Sequence, residues 1–151
     1  SVIFEIPQAA YEDRSSIEAR AMGKLVDLGF RFSIDKVTSA ALDLPDLERT
    51  GVRYVKIPSR VLAEQVLRGN VRPRSALTRE IAAADIAAVF QRYGIDIIAE
   101  RVESEEEVLE VLDLDVPYGQ GHLFGPPRAI KDSLMEETAP PRDFMKRQGA
   151  R

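Results

Sequence analysis

Five polar residues, Glu5, Asp35, Lys56, Glu100 and Gln120, each stand at or just past the end of a short apolar run. Three carboxylates, one ammonium and one amide have the composition of a phosphate-and-metal site. Hard cations such as Mg²⁺ take oxygen ligands from a few carboxylates, and paired metals activate water for phosphoester cleavage. Any one such charge, taken singly, is satisfied as a strand-end residue facing water. One per successive strand is an arrangement that independent surface charges need not show.

The elements that would position these residues are readable as alternating strands and helices. Ser1–Ile6 is a β-branched run closed by Pro7, and Ser15-x-x-Glu18 is a capping box that opens a helix ending at Gly29. Ile17, Ala21, Leu25 and Leu28 are expected on its core-facing side. Phe30–Asp35 and Val52–Ile57 repeat the strand signal around a short helix within Ala41–Thr50. Ser59 to Arg68 and Ser75 to Tyr93 read as helices, Ile95–Ala99 as a strand, and Ser104-x-x-Glu107 as a second capping box. The helix it opens runs to about Leu112, with Val108, Leu109, Val111 and Leu112 as its apolar stripe; Tyr118–Phe124 is the last strand. Ala129–Glu137 reads as helical, and 138–151 as a mobile tail apart from the domain at 1–137. Alternation at this spacing gives βαβ units on a parallel sheet, an α/β fold open to either a barrel or a doubly wound sheet. In both, the C-terminal strand ends form the functional rim.

Composition bounds the function class. The 151 residues are 44% hydrophobic and 30% charged, with a formal charge of −4, which describes a globular domain and argues against binding a nucleic acid polymer by broad phosphate neutralisation. No apolar run approaches a membrane span, so no membrane contact is expected from this segment. No cysteine is present, which excludes disulfides, thiolate zinc sites and cysteine nucleophiles, and cytoplasm is the expected compartment. The chain begins at Ser1 inside a strand-like run and reads as entered partway through.

The strand-end residues resemble those of the EAL domains of bacterial cyclic-di-GMP signalling. Phe4-Glu5-Ile6 looks like the family's metal-binding Glu strand, Phe32-Ser33-Ile34-Asp35 like the strand entering its Asp-Asp-Phe-Gly-Thr-Gly loop, and Val55-Lys56-Ile57 like its Lys-Ile-Asp strand. Ile98-Ala99-Glu100-Arg101-Val102-Glu103 is similar to Ala-Glu-Gly-Val-Glu, and Tyr118 to Pro127 to Gln-Gly-Tyr-Leu-Phe-Gly-x-Pro. Order and spacing agree from Ser1 to about Pro127, over the C-terminal part of the family domain; the Glu-Ala-Leu motif and the metal-binding Asn strand are absent. The resemblance implies a TIM-like (β/α) barrel, present as an incomplete set of about five βα units. Five strands do not close such a barrel.

The departures bear on function. Asp35-Lys36 stands where the family has two aspartates, Val37-Thr38-Ser39-Ala40 replaces its glycine loop, and Lys56-Ile57-Pro58 replaces Lys-Ile-Asp. Two expected metal-site carboxylates are gone and an ammonium takes the place of one, so the expectation is no bound metal or other cofactor and no catalytic residue. What the resemblance leaves is binding: Phe124 facing a guanine, Glu103 and Glu100 taking polar contacts, and Lys56 and Gln120 near the phosphodiester, with Glu5 and Asp35 completing the site. The leading reading is an inactive EAL-like signalling domain, a cyclic-di-GMP receptor or a module docking a protein partner, with flagellar assembly or motility the regulated process by analogy. The alternatives are a ligand-free scaffold, in which Lys36 or Lys56 neutralises the carboxylates internally, and an Mg-dependent phosphodiesterase using Glu5, Asp35 and Glu100. An open edge at the first strand makes self-association a further expectation. His122, lacking another His or Cys, reads as a rim residue, and Glu105–Glu107 as a solvated helix start.

Overall fold

The computed structural model describes residues 2–67 and 86–121, together with the strand path of 125–129. Six strands form one sheet in chain order: β1 (Ile3–Pro7), β2 (Arg31–Asp35), β3 (Val52–Pro58), β4 (Asp96–Glu100), β5 (Tyr118–Gly121) and β6 (Gly125–Ala129). The first five are parallel neighbours, and β6 returns antiparallel to β5. A doubly wound sheet reverses its strand order at a switch point. Unbroken sequential order is instead that of a (β/α) barrel wall, which decides between the two architectures.

Alternation along each strand divides the sheet into two unlike faces. Phe32, Ile34, Val55, Ile57, Ile97 and Ala99 are buried and belong to one apolar cluster with Met22, Leu44, Leu47, Leu62, Val89, Phe90 and Val111 of the surrounding helices and turns. Each large side chain of that cluster contributes about 1.5–3 kcal/mol by leaving water. The opposite face carries Glu5, Ser33, Lys56, Ile98, Glu100 and Gln120, a polar wall held in place by the apolar one.

The helices are α1 (Gln8–Glu12), α2 (Ser16–Asp27), α3 (Leu44–Arg49), α4 (Ser59–Val61), which passes into a π-helical turn over Leu62–Leu67, α5 (Ile86–Arg92) and α6 (Glu105–Asp113). The Ser15–Glu18 capping box forms as read, and Gly29 follows α2 at φ 96°. The face of α2 differs from expectation. Met22 is the residue it buries, with Leu25 and Val26 packed against the core, whereas Ile17 is 77% and Leu28 74% exposed and Ala21 is exposed. The sheet needs only Met22, Leu25 and Val26 from this helix, so the stripe offset from them faces solvent. In α6, Val108 and Val111 are buried and Leu109 is exposed.

The sixth strand, Gly125–Ala129, lies beyond Tyr118–Phe124, the last strand expected from the sequence; its prolines lack only a donor and are tolerated on an edge strand. Asp43 caps α3 through the Asp46 N–H and shortens the expected Ala41–Thr50 helix. Arg68, most of the Ser75–Tyr93 helix, His122, Phe124, the helix expected at Ala129–Glu137 and the tail 138–151 lie outside the described residues.

Candidate functional site at the strand ends

Register sets the heights of the site residues. Ile34 pairs with Val55, so Asp35 and Lys56, each one residue further, stand side by side; Pro58 pairs with Glu100, and Ala99 with Gly119, which brings Gln120 level with Glu100. Glu5 lies level with Ser33 one step deeper. The Lys56 ammonium crosses the intervening strand to form an ion pair with the Glu5 carboxylate. Lys56 is therefore already engaged, as one of the readings of the sequence has it. Lys36 is exposed, and Asp35 keeps one buried oxygen, Oδ1, without a hydrogen-bond partner. Gln120 Oε1 and Ser33 Oγ are buried and unpartnered as well.

The charges feel one another. Burial pushes the Glu100 carboxyl above the usual carboxylate range; Arg101 and Lys56 oppose this, and Asp35 and Glu5 add to it. Lys36 and Arg101, the residues following Asp35 and Glu100, both take the left-handed backbone conformation, at φ 48° and 56°. Among non-glycine residues this is uncommon, and here it turns the chain at two strand ends, with Arg101 close enough to Glu100 to oppose the rise of its pKa.

Two loops frame the rim. The segment after Asp35 is tied by two glutamines. Gln8, only 4% exposed, accepts from the Thr38 and Ser39 N–H groups at 2.9 and 3.3 Å and donates to the Ser39 carbonyl at 3.0 Å. Gln65 accepts from the Ala40 N–H and donates to the Thr38 carbonyl, both at 2.8 Å. Val37 and Leu42 are buried beneath. The segment after Asp35 is thus held by side chains from two other elements, and sequence reasoning missed the glutamines because an amide carries no periodic or charge signal.

The second loop, 101–104, carries Glu103. Its Val102 N–H donates to the Gln120 carbonyl at 3.0 Å. Glu107 reaches back from α6 to accept from the Glu103 N–H at 2.9 Å, while the Ser104 hydroxyl accepts from the Glu107 N–H at 3.1 Å. The buried Ser59 hydroxyl meets Glu107 Oε2 at 2.8 Å and the Arg101 carbonyl at 3.1 Å. Burial alone would raise the Glu107 pKa, but these bonds to its charged form outweigh it and hold it down. Glu107, read from sequence as part of a solvated helix start, is thus a tie for the Glu103 loop.

Glu5, Asp35, Lys56, Glu100 and Gln120 are brought together on one face, and Glu103 stands exposed at the adjoining loop. Phe124 lies outside the described residues. Among the described residues no three His, Cys, Asp or Glu side chains converge closely enough to hold a metal ion, and none of the helices is long and apolar enough to cross a membrane. What the arrangement offers chemically is a wall of carboxylate and amide acceptors, two of them unpartnered, interleaved with cations.

Comparison with known proteins gives one family. The EAL domain profile matches residues 1–127. No curated protein matches. Among solved structures, the EAL enzyme Bd1971 with cGMP bound is 24% identical, with a TM-score of 0.57, over 88% of this chain and 33% of that one. The PaMucR phosphodiesterase in complex with c-di-GMP is 21% identical, TM-score 0.58, over 86% and 49%. The Bacillus subtilis YkuI protein, with an EAL domain, in complex with substrate c-di-GMP and calcium, is 12% identical, TM-score 0.60, over 97% and 36%. The chain thus spans a third to a half of the length of these structures, and the likeness to them is one of fold.

Proposed function

Since the chain belongs to the EAL domain family, we propose that it is a cyclic-di-GMP signalling domain that binds the dinucleotide without hydrolysing it. Two departures at the strand ends carry this reading: Lys36, which follows Asp35, and Pro58 stand where the resemblance places metal-binding aspartates. An ammonium at the position of a metal-ligating carboxylate repels Mg²⁺ instead of binding it. The paired register of Pro58 with Glu100 removes a second ligand, because the family's Asp position is a proline beside the remaining Glu. The residues present do not fit a two-metal arrangement, so no water-activating step is assigned to them. The structural relatives in complex with c-di-GMP support the ligand class.

The acceptors suit guanine. Asp35 Oδ1 and Gln120 Oε1 are buried without partners, and each such group gains a full hydrogen bond when a ligand N–H reaches it. In this reading they and Glu103 take guanine N1–H and N2–H donors, Phe124 stacks on a base, and Arg101, Lys36 and Lys56 stand by the phosphates. A role in bacterial regulation through a protein partner, of motility or otherwise, rests on the family alone.

The test is calorimetric titration of the chain with cyclic-di-GMP in EDTA, followed by chromatography of the recovered nucleotide. Binding with quantitative recovery of intact dinucleotide is expected. Linear pGpG in the presence of Mg²⁺ would overturn the non-hydrolytic reading, and no binding at all would favour a scaffold whose Lys56 is satisfied by Glu5.

A further inference from the structure

Three backbone groups of the 101–104 loop are each bonded to a different element. The Arg101 carbonyl meets the Ser59 hydroxyl at the start of α4, the Val102 N–H donates to the Gln120 carbonyl of β5, and the Glu103 N–H donates to Glu107 Oε1 of α6. The first and last of these holds are joined, because the Ser59 hydroxyl also lies 2.8 Å from Glu107 Oε2. Ser59 is 3% exposed and Val102 is fully buried, so the loop is gripped from inside the fold while Glu103 faces out. Ser59 directly follows Pro58, the residue in register with Glu100. The loop is therefore placed relative to β3, β5 and α6 at once. No side chain among the described residues bonds to the Glu103 carboxylate, so its direction is set by the backbone on which it stands.

We propose that Ser59 and Glu107 are positioning residues for the nucleotide site: they fix Glu103 as an acceptor that reads guanine, and so set the preference for guanine over adenine. The inference rests on the cyclic-di-GMP reading above. Guanine presents N1–H and N2–H donors along one edge, whereas adenine presents an acceptor at N1. A carboxylate held at that edge attracts the first base and repels the second, and the discrimination lasts only while the carboxylate cannot swing away. Glu107 supplies the hold with both oxygens, Oε1 to the Glu103 N–H and the Ser104 hydroxyl, Oε2 to Ser59. A glutamine in its place keeps the same connections: its carbonyl accepts from the Glu103 N–H, and its amide donates to the Ser59 oxygen, whose own hydrogen then serves the Arg101 carbonyl. An alanine keeps none of them.

Calorimetric titration with cyclic-di-GMP and with cyclic-di-AMP, both in EDTA, tests this on the chain and its variants. Glu103→Ala should weaken cyclic-di-GMP binding about tenfold or more. Glu107→Ala should weaken it by a lesser factor, roughly three- to tenfold, because positioning cannot be worth more than the contact it positions. Binding of cyclic-di-AMP should not fall with it, so the preference narrows, and Glu107→Gln should recover most of the loss. Combined with Glu103→Ala, Glu107→Ala should add nothing further. That cycle separates positioning from a loosened fold, which would weaken both nucleotides in both backgrounds. Ser59→Ala removes the hold on Arg101 and leaves the Glu103 bond; it should give a smaller loss of the same selective kind, and it decides the matter by the same comparison where Glu107→Ala does not fold. Equal cyclic-di-GMP affinity in wild type and both alanine variants of the pair, or an equal loss for the two nucleotides, overturns the positioning role and leaves the cyclic-di-GMP reading intact. Failure of the unaltered chain to bind cyclic-di-GMP overturns that reading and the inference with it.

Discussion

Replacing Gly121 by alanine should be among the most costly single-methyl changes in the described structure. Gly121 sits at φ 146°, and a Cβ built on it would lie 2.5 Å from both the nitrogen and the oxygen of Val102. Both are backbone atoms, so neither can swing aside as a side chain would. Relieving the overlap means moving strand β5 and the 101–104 loop apart by about an ångström, the distance to ordinary contact. That movement breaks the Val102 N–H to Gln120 carbonyl bond, 3.0 Å long in the wild type. The backbone conformation costs about 1–3 kcal/mol for a residue with a Cβ, and the lost bond about 0.5–1.5 kcal/mol. Together they predict a loss of about 1.5–4.5 kcal/mol, or roughly 3–18 °C in Tm for a domain of this size. Gly23→Ala is the internal control: it lies within α2 with nothing within 4 Å of its built Cβ, and should stabilise by about 0.5–1 kcal/mol through helix propensity. Urea titration followed by far-UV circular dichroism measures both. Equal midpoints for Gly121→Ala and wild type, at unchanged slope, would refute the close approach of the two segments.

Three further outcomes are expected. Because burial lifts the Glu100 pKa in the folded protein above its ordinary 4.5, the folded state retains a proton that the unfolded chain gives up. This contribution to stability is complete below pH 4.5 and lost as pH rises through the folded pKa; Glu100→Gln should flatten the decline and Lys56→Met steepen it, and a urea midpoint whose pH dependence is the same in all three proteins would contradict the assignment. Asp46 is held below its ordinary 3.8, burial being outweighed by the Tyr11 hydroxyl and by Arg14 at 2.9 Å. Asp46→Asn should therefore cost about 2 kcal/mol at pH 7, a difference that shrinks as pH falls below 3.8, while the Tyr11 phenol, pushed by burial to about 12, should show a lower spectrophotometric midpoint once the carboxylate is gone. Glu107→Ala should speed hydrogen exchange at the Glu103 amide, which loses its acceptor, and leave the Val102 amide protected; equal acceleration at both would mean that the loop opens as a unit.

Much of the rim was legible because its residues sit at strand ends, where a period-2 apolar run stops at a charge. Glu5, Asp35, Lys56, Glu100 and Gln120 were located that way, and register confirms their common face. The pairing of Lys56 with Glu5 rather than with its lateral neighbour Asp35 was not readable, since it depends on which long side chain spans a strand. Gln8 and Gln65 were invisible for a different reason: their amides bond to backbone groups of a distant loop, and no local pattern encodes that. On α2, the repeat of Ile17, Ala21, Leu25 and Leu28 gave a face but not the right one, because Met22 and Val26 form a competing stripe and only docking selects between them. β6 was hidden by its prolines, which mark an edge as readily as a break.

Strands laid down in chain order give the molecule a direction in time. Each strand of β2 to β6 finds its partner in the segment made just before it, and only the β3–β4 pairing, Tyr54 with Asp96, reaches across a long stretch of chain. Sequence-local pairing lowers the entropy lost in closing each loop, so β1–β2–β3 can assemble as a sheet while the remainder is still being synthesised. The slow step should be the arrival of β4, which must cross that stretch before Glu100 meets Pro58. Kinetic folding traces should accordingly show an early phase sensitive to Phe32→Ala and a later one sensitive to Ile97→Ala, with the polar wall completed last.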